Sequence, residues 1–243
     1  MTRPWISRGL RERRAFPLQE LRVKQGEDER PHIVGHAAVF GRRSDPLVEW
    51  GRERVVEVIA PGAFTKTLQE ADVRALMNHD PNYVLGRNRS GTLALAEDAH
   101  GLGVDIVPPE TQWARDLMVS MERRDIDQMS FLFRAVKERW EREDDEETGW
   151  TTHVRTVLEA RLFDVSVVTF PAYSDTDVAV RCLLDTGCEN APEFLRRLAE
   201  PAPEGHSADD SGGEPRGAQR EPDQEDHSAD ERQRALDLYR LTL

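Results

Sequence analysis

The chain has 243 residues, enough for one substantial core with length to spare, and its formal charge of −13 with 38% hydrophobic residues makes it a wet, acidic sequence. That charge argues against a general nucleic-acid binder, which needs a basic footprint. No apolar run approaches the roughly 20 residues that span a bilayer, and the N-terminal arginines have no apolar segment behind them, so a cytoplasmic protein without a secretory signal is expected.

Residues 1–24 form a basic lead-in, with seven Arg/Lys against two Glu. A first strand is predicted from Phe16-Pro17-Leu18 through Leu21-Arg22-Val23, and a second at 33–40, after the polar turn at 25–28. Residues 55–59 read as another short strand. Pro61-Gly62 ends it, and 63–70 predicts a brief helix in which Phe64 and Leu68 lie one turn apart. A strand at 73–77 runs into Asn78-His79-Asp80-Pro81. Residues 91–96 and 101–107 predict a hairpin.

Thr111 can cap a helix running to Arg123, where Trp113, Leu117 and Met121 recur every four residues as an apolar stripe. A long strand is predicted at 128–140, then an acidic turn at 141–147 and a partner strand at 150–158. Residues 162–170 are the most apolar strand, closed by Pro171-Ala172. Many strands broken by one or two helices predict a mainly β fold with flanking helices, an antiparallel barrel with the helices outside.

The folded domain is expected over 11–181, after a lead-in at 1–10 and before a short helical extension at 182–198 whose helix spans 193–199. Between Ala199 and Arg234 eleven acidic residues face four arginines, and no Val, Ile, Leu, Met, Phe, Trp or Tyr occurs. Such a stretch cannot bury enough surface to offset its ordering entropy, so 199–234 is expected to be disordered. A terminal helix follows at 235–243, with Leu236, Tyr239 and Leu243 along one face of the segment from Ala229 onward. Cys182 and Cys188 fit ordinary reduced cysteines.

Most of the seven histidines read as bystanders; His153, for one, falls on what reads as an exposed hairpin arm. His79 differs, because it follows an apolar strand at the start of a tight turn, where strands hold functional loops rigidly. On position alone the structural reading of His79 is nonetheless the stronger. Ser130 opens a hydrophobic strand, and serine there needs no special explanation. A nucleophilic role requires a base within hydrogen-bond reach.

Asp164 interrupts an apolar strand on the same face as Ser166 and Val168. A carboxylate there is costly unless paired, which suits an orienter for an imidazole or a bond to neighbouring backbone or an arginine. Glu159, near the strand's beginning, competes with it. No HExxH, paired CxxC, DxDxDG or Gly-rich phosphate loop is present, so neither metal nor cofactor is expected.

Taken in order, several blocks resemble the prohead (capsid maturation) protease family of HK97-like tailed phages and related prophages. They are IVGHAAVF at 33–40, EVIAPGAF at 57–64, DVRALMNHD at 72–80, VLGR at 84–87, SGTL at 90–93, MSF at 129–131 and LFDVSVVTFPAY at 162–173. The resemblance implies a β-barrel of the herpesvirus assembly-protease type. It also implies a serine endopeptidase whose nucleophile and base fall on Ser130 and His79, with Asp164 or, as the alternative, Glu159 as the third member.

Two positions depart from the family. Arg123-Arg124-Asp125 stands where Arg-Gly-Asp is frequent, and Leu132 stands where glycine often follows Ser-Phe, which would narrow the cleft or alter specificity. The implied substrate is the scaffolding part of the major capsid protein, and the protease itself, cut inside the procapsid in the host bacterial cytoplasm. Self-association is a further possibility; no nucleic acid or membrane is implied. The rival reading is a catalytically silent procapsid assembly or scaffolding protein that keeps the fold.

Overall fold

Alternation of period two builds most of this chain, because a strand buries every second residue against the core. Phe131 and Phe133 are fully buried, while Leu132 between them and Arg134 after them are only half-buried. The structure, a computed structural model, describes residues 11–16, 21–170 and 191–199. In chain order these form β1 (Glu12–Phe16), β2 (Arg22–Gln25), β3 (Pro31–Val39), β4 (Val48–Trp50), β5 (Glu53–Ile59) and α1 (Thr65–Glu70). There follow β6 (Arg74–Met77), β7 (Asp80–Arg87), a 3₁₀ turn at Asn88–Ser90, β8 (Leu93–Glu97), β9 (Gly101–Ile106) and α2 (Gln112–Glu122). The long strands β10 (Gln128–Asp144) and β11 (Thr151–Val168) and the helix α3 (Glu193–Ala199) complete the set.

The strands pair into two sheets. One has seven strands, in the order β1-β10-β11-β5-β4, with β6 also on β11 and β7 on β6; the other runs β2-β3-β9-β8. β5 and β6 both lie parallel to β11, against Thr151–Val157 and Asp164–Val167 respectively. The gap between them is filled from the α1 region: Ala160 N–H donates to Ala63 O at 2.8 Å and Leu162 N–H to Thr67 Oγ1 at 3.0 Å. This arrangement aims the end of β6 at the start of β10.

Both sheets turn their apolar faces onto one core that includes Ile33, Phe64, Leu102, Ile106, Phe131 and Val165. The sheets meet where Phe40 bridges Ile59 and where Thr92 N–H donates to Arg87 O. The mainly β class with few helices is what the described residues form. Their ladders do not close into the expected barrel: the two sheets touch at those points without a continuous ladder between them.

Several elements differ from the sequence expectation. The first strand is two strands in different sheets, because Glu12 and Arg14 are not a solvated lead-in. Glu12, Glu57 and Arg155 are fully buried, and Arg155 bonds Glu12 with both terminal nitrogens, at 2.6 and 3.0 Å, and Glu57 at 2.8 Å. Arg14 bonds Glu57 and Glu12, each at 2.8 Å, which sews β1 to the sheet.

The strands expected at 150–158 and 162–170 are the single strand β11. In its charged midsection Glu159 pairs with Lys137 and Lys66, and the Arg161 guanidinium lies 5.5 Å from the centre of the Phe163 ring. His153 is buried, not exposed; it contacts Glu53 at 2.9 Å and stacks on Phe194 of α3.

α2 and α3 fall where expected, although Thr111 at the start of α2 makes no side-chain capping bond. β4 and β7 were not anticipated as strands. The cysteines at 182 and 188, the acidic segment at 200–234 and the terminal helix at 235–243 lie outside the described residues. Among the described residues no helix is long and apolar enough to cross a membrane.

Candidate active site

β6 and β7 pair as far as Met77 and Asp80, which leaves Asn78 and His79 as a two-residue hairpin turn. Both have positive φ, 54° and 59°, the combination that matches the right-handed twist of the flanking strands. Asparagine tolerates that region. Histidine does so less readily, at a cost of roughly 1–2 kcal/mol, so the surroundings must hold it there.

They do so through Asn78. Its N–H donates to Val167 O at 2.9 Å, its Oδ1 accepts from Thr169 N–H at 2.9 Å, and its Nδ2 donates to Thr169 Oγ1 at 3.1 Å. The turn is thereby pinned to the end of β11.

Ser130 lies on β10 with β11 on one side and β1 on the other, paired with Ser166 and Ala15. Because Met129 and Phe131 turn inward, Ser130 turns to the opposite face. Asp164 and Ser166, two apart on β11, share that face. The pinned turn brings His79 over them.

His79 Nε2 is 2.8 Å from Ser130 Oγ, and its Nδ1 is 2.6 Å from Asp164 Oδ1. As a carboxylate Asp164 only accepts, so the proton belongs on Nδ1 and the lone pair on Nε2 faces the Ser130 hydroxyl. The group is dry: Ser130 has no exposed surface and the His79 side chain is 5% exposed. In such surroundings charge-assisted bonds are short and strong.

The structure therefore brings His79, Ser130 and Asp164 together, and it does not bring Glu159 to them. Glu159 lies 2.5 Å from Lys137 and 3.5 Å from Lys66. The hydrogen-bonded Lys137 ammonium outweighs partial desolvation and holds the Glu159 carboxyl below its ordinary range.

Sequence reasoning missed Ser166 as a member of the site. Its hydroxyl donates to Asp164 Oδ1 at 2.8 Å and lies 3.3 Å from His79 Nδ1. The signal was there in its period-two spacing from Asp164.

The two departures from the family also find places. Arg124 follows α2 with φ 64°. Its N–H bonds Met121 O at 3.0 Å, and Asp125 N–H bonds Ser120 O at 2.9 Å. That is the double bond of a helix C-terminus whose closing residue is left-handed, a position that favours glycine. Leu132 pairs with Asp164 across the ladder, half-buried on the face that carries Ser130.

A family model described as caudovirus prohead serine protease matches residues 19–187, a span that holds His79, Ser130, Asp164 and Ser166. Neither the curated proteins nor the solved structures give a significant match.

Proposed function

The chain belongs to the caudovirus prohead serine protease family, and on that premise we propose that Ser130 is the nucleophile, His79 the general base and Asp164 its orienting carboxylate. Membership makes it a serine protease of capsid maturation acting within the prohead. The observation that carries the residue assignment is the unbroken chain from Ser130 Oγ through both His79 nitrogens to Asp164, at 2.8 and 2.6 Å.

In this reading Ser130 Oγ attacks the scissile carbonyl while its proton passes to His79 Nε2. The C–N bond then breaks, and His79 delivers that proton to the leaving amine. A water next gives its proton to His79 and attacks the acyl ester, and the proton returns to Ser130 as the acid leaves. Asp164 holds the Nδ1–H tautomer and offsets the imidazolium charge throughout. Since Ser130 is fully buried, an incoming peptide must displace whatever covers it.

The substrate proposed is the scaffolding segment of the major capsid protein, together with the protease itself. The acidic segment and the residues after it, to 243, would tether the enzyme to shell proteins or be removed by self-cleavage. Normal incorporation into procapsids after deletion of 199–243 would remove the basis for the tether. For the fold, a herpesvirus assembly-protease type is supported by the core that both sheets share.

A catalytically silent assembly protein is the second reading, and the complete burial of Ser130 is what favours it. Co-expression with the major capsid protein of the same phage or prophage, wild type against Ser130→Ala, decides between them. Cleavage by the wild type alone is expected. Uncut capsid protein in both would sink the protease reading.

A further inference from the structure

A cavity of about 420 Å³ opens beside the base, sharing Asn78 and Asp80, the two neighbours of His79. Its size falls within the roughly 300–1,000 Å³ of typical ligand sites. Its walls combine two chemistries. Met77, Leu117, Tyr83 and Trp113 give an apolar and aromatic lining, while its ionisable side chains apart from Tyr83 are two acids, Asp80 and Asp116.

Tyr83 and Trp113 meet edge to face at 5.3 Å, and Tyr83 is 43% exposed at the cavity. Neither acid has an ion-pair partner among the described residues. Asp80 Oδ1 accepts from the Asn82 backbone and side chain, and Asp116 Oδ1 accepts from Gln112 Nε2.

We propose that this cavity is a substrate side-chain subsite that takes a lysine or arginine lying close to the scissile bond. The inference rests on the reading of His79 and Ser130 as base and nucleophile, because it is their position that makes a neighbouring cavity a subsite. A long cationic side chain satisfies both parts of the wall: its methylenes cover Met77 and Leu117, and its head reaches the carboxylates past the aromatic rings. A purely apolar side chain would gain nothing from the two carboxylates, and an acidic one would be repelled. The partner is thus an extended peptide with a basic residue at one fixed position from the cut.

The test uses the purified full-length chain on a proteome-derived peptide mixture, with cut sites mapped by mass spectrometry and Ser130→Ala as the blank. A single position within three residues of the cut is expected to be enriched in lysine and arginine. Paired peptides with lysine or norleucine at that position then give a kcat/KM ratio. Asp116→Asn should lower this ratio about twofold to fivefold, the worth of a solvent-exposed ion pair, and Asp116→Lys should lower it further. Asp116 is exposed on α2, so neither change threatens folding. Cuts without basic enrichment, or a ratio that neither variant changes, would overturn the subsite while leaving the protease reading standing. No cuts above the Ser130→Ala blank would overturn the protease reading, and the subsite with it.

Discussion

Asp164 and Ser166 sit two residues apart on one face of β11, and the Ser166 hydroxyl donates to the same Asp164 oxygen that meets His79 Nδ1. Ser166 touches no reacting atom in the proposed chemistry; it is a positioning residue that fixes the carboxylate's rotamer. Ser166→Ala should lower kcat about fivefold, the worth of one net hydrogen bond of about 1 kcal/mol, and leave KM near its wild-type value. Ser166→Thr keeps the hydroxyl and should restore most of the loss. A matching loss in the threonine variant would assign the effect to packing instead.

The two carboxylates weighed for the third role make opposite predictions. Asp164→Asn replaces an acceptor with an amide and destabilises the Nδ1–H tautomer, so kcat should fall by about 10⁴-fold, as it does when a buried triad aspartate becomes asparagine. Glu159→Gln loses only contacts to Lys66 and Lys137, both largely exposed. Such pairs are worth roughly 0–1 kcal/mol, and activity should stay within about twofold of wild type by the same measure. Equal losses in the two variants would dissolve the assignment of Asp164.

Much of this site was legible in the chain because its parts lie on regular strands. The β6 strand, the turn at His79, and the alternation that puts Asp164 and Ser166 on one face all follow from local pattern. What joins them does not. The register that sets Ser130 against Ser166 depends on irregularities in the β10–β11 ladder between Leu132 and Glu138 that no local signal marks, and the one that sets Arg74 against Asp164 belongs to a parallel pairing between segments far apart in sequence. The charged residues misled in the same way. Glu12 and Arg14 look solvated, and Glu159 with Arg161 looks like a strand break. Their partners, Arg155, Glu57 and Lys137, are far away in sequence and close only once the sheet has formed.

Arg124 occupies a left-handed position that closes α2, four residues before β10 begins. A side chain there costs roughly 1–2 kcal/mol, partly offset because glycine loses about 0.5–1 kcal/mol more entropy on folding. Arg124→Gly should therefore stabilise the protein by about 0.5–1 kcal/mol, a rise in Tm of about 2 °C for a domain of this size. Thermal unfolding checks this directly. A lower Tm would mean that the Arg124 side chain makes a compensating contact.

The buried charges around Arg155 make stability depend on acid. Burial pushes the Glu12 carboxyl up, but the guanidinium charges of Arg155 and Arg14 outweigh it and hold the group below its ordinary value of 4.5. A carboxylate depressed in the folded chain contributes stability that is present above the unfolded value and lost as pH falls through the folded one. Its share should be complete at pH 7 and decline below about pH 4.5 as the unfolded chain takes up the proton first.

Glu12→Gln removes that titration and leaves Arg155 with Glu57 and Glu138. Breaking a buried pair costs about 3–5 kcal/mol, and the two remaining partners place the loss near 3 kcal/mol, at the lower end of that range. Measured by denaturant unfolding, the gap between wild type and Glu12→Gln should be widest at pH 7 and narrow below pH 4.5. A gap that stays constant down to pH 3 would mean that folding does not change the proton affinity of Glu12, so that Arg155 and Arg14 do not hold its carboxyl down. The outcome bears on the site, because Glu12 anchors β1, and β1 runs along β10 with Ala15 paired to Ser130.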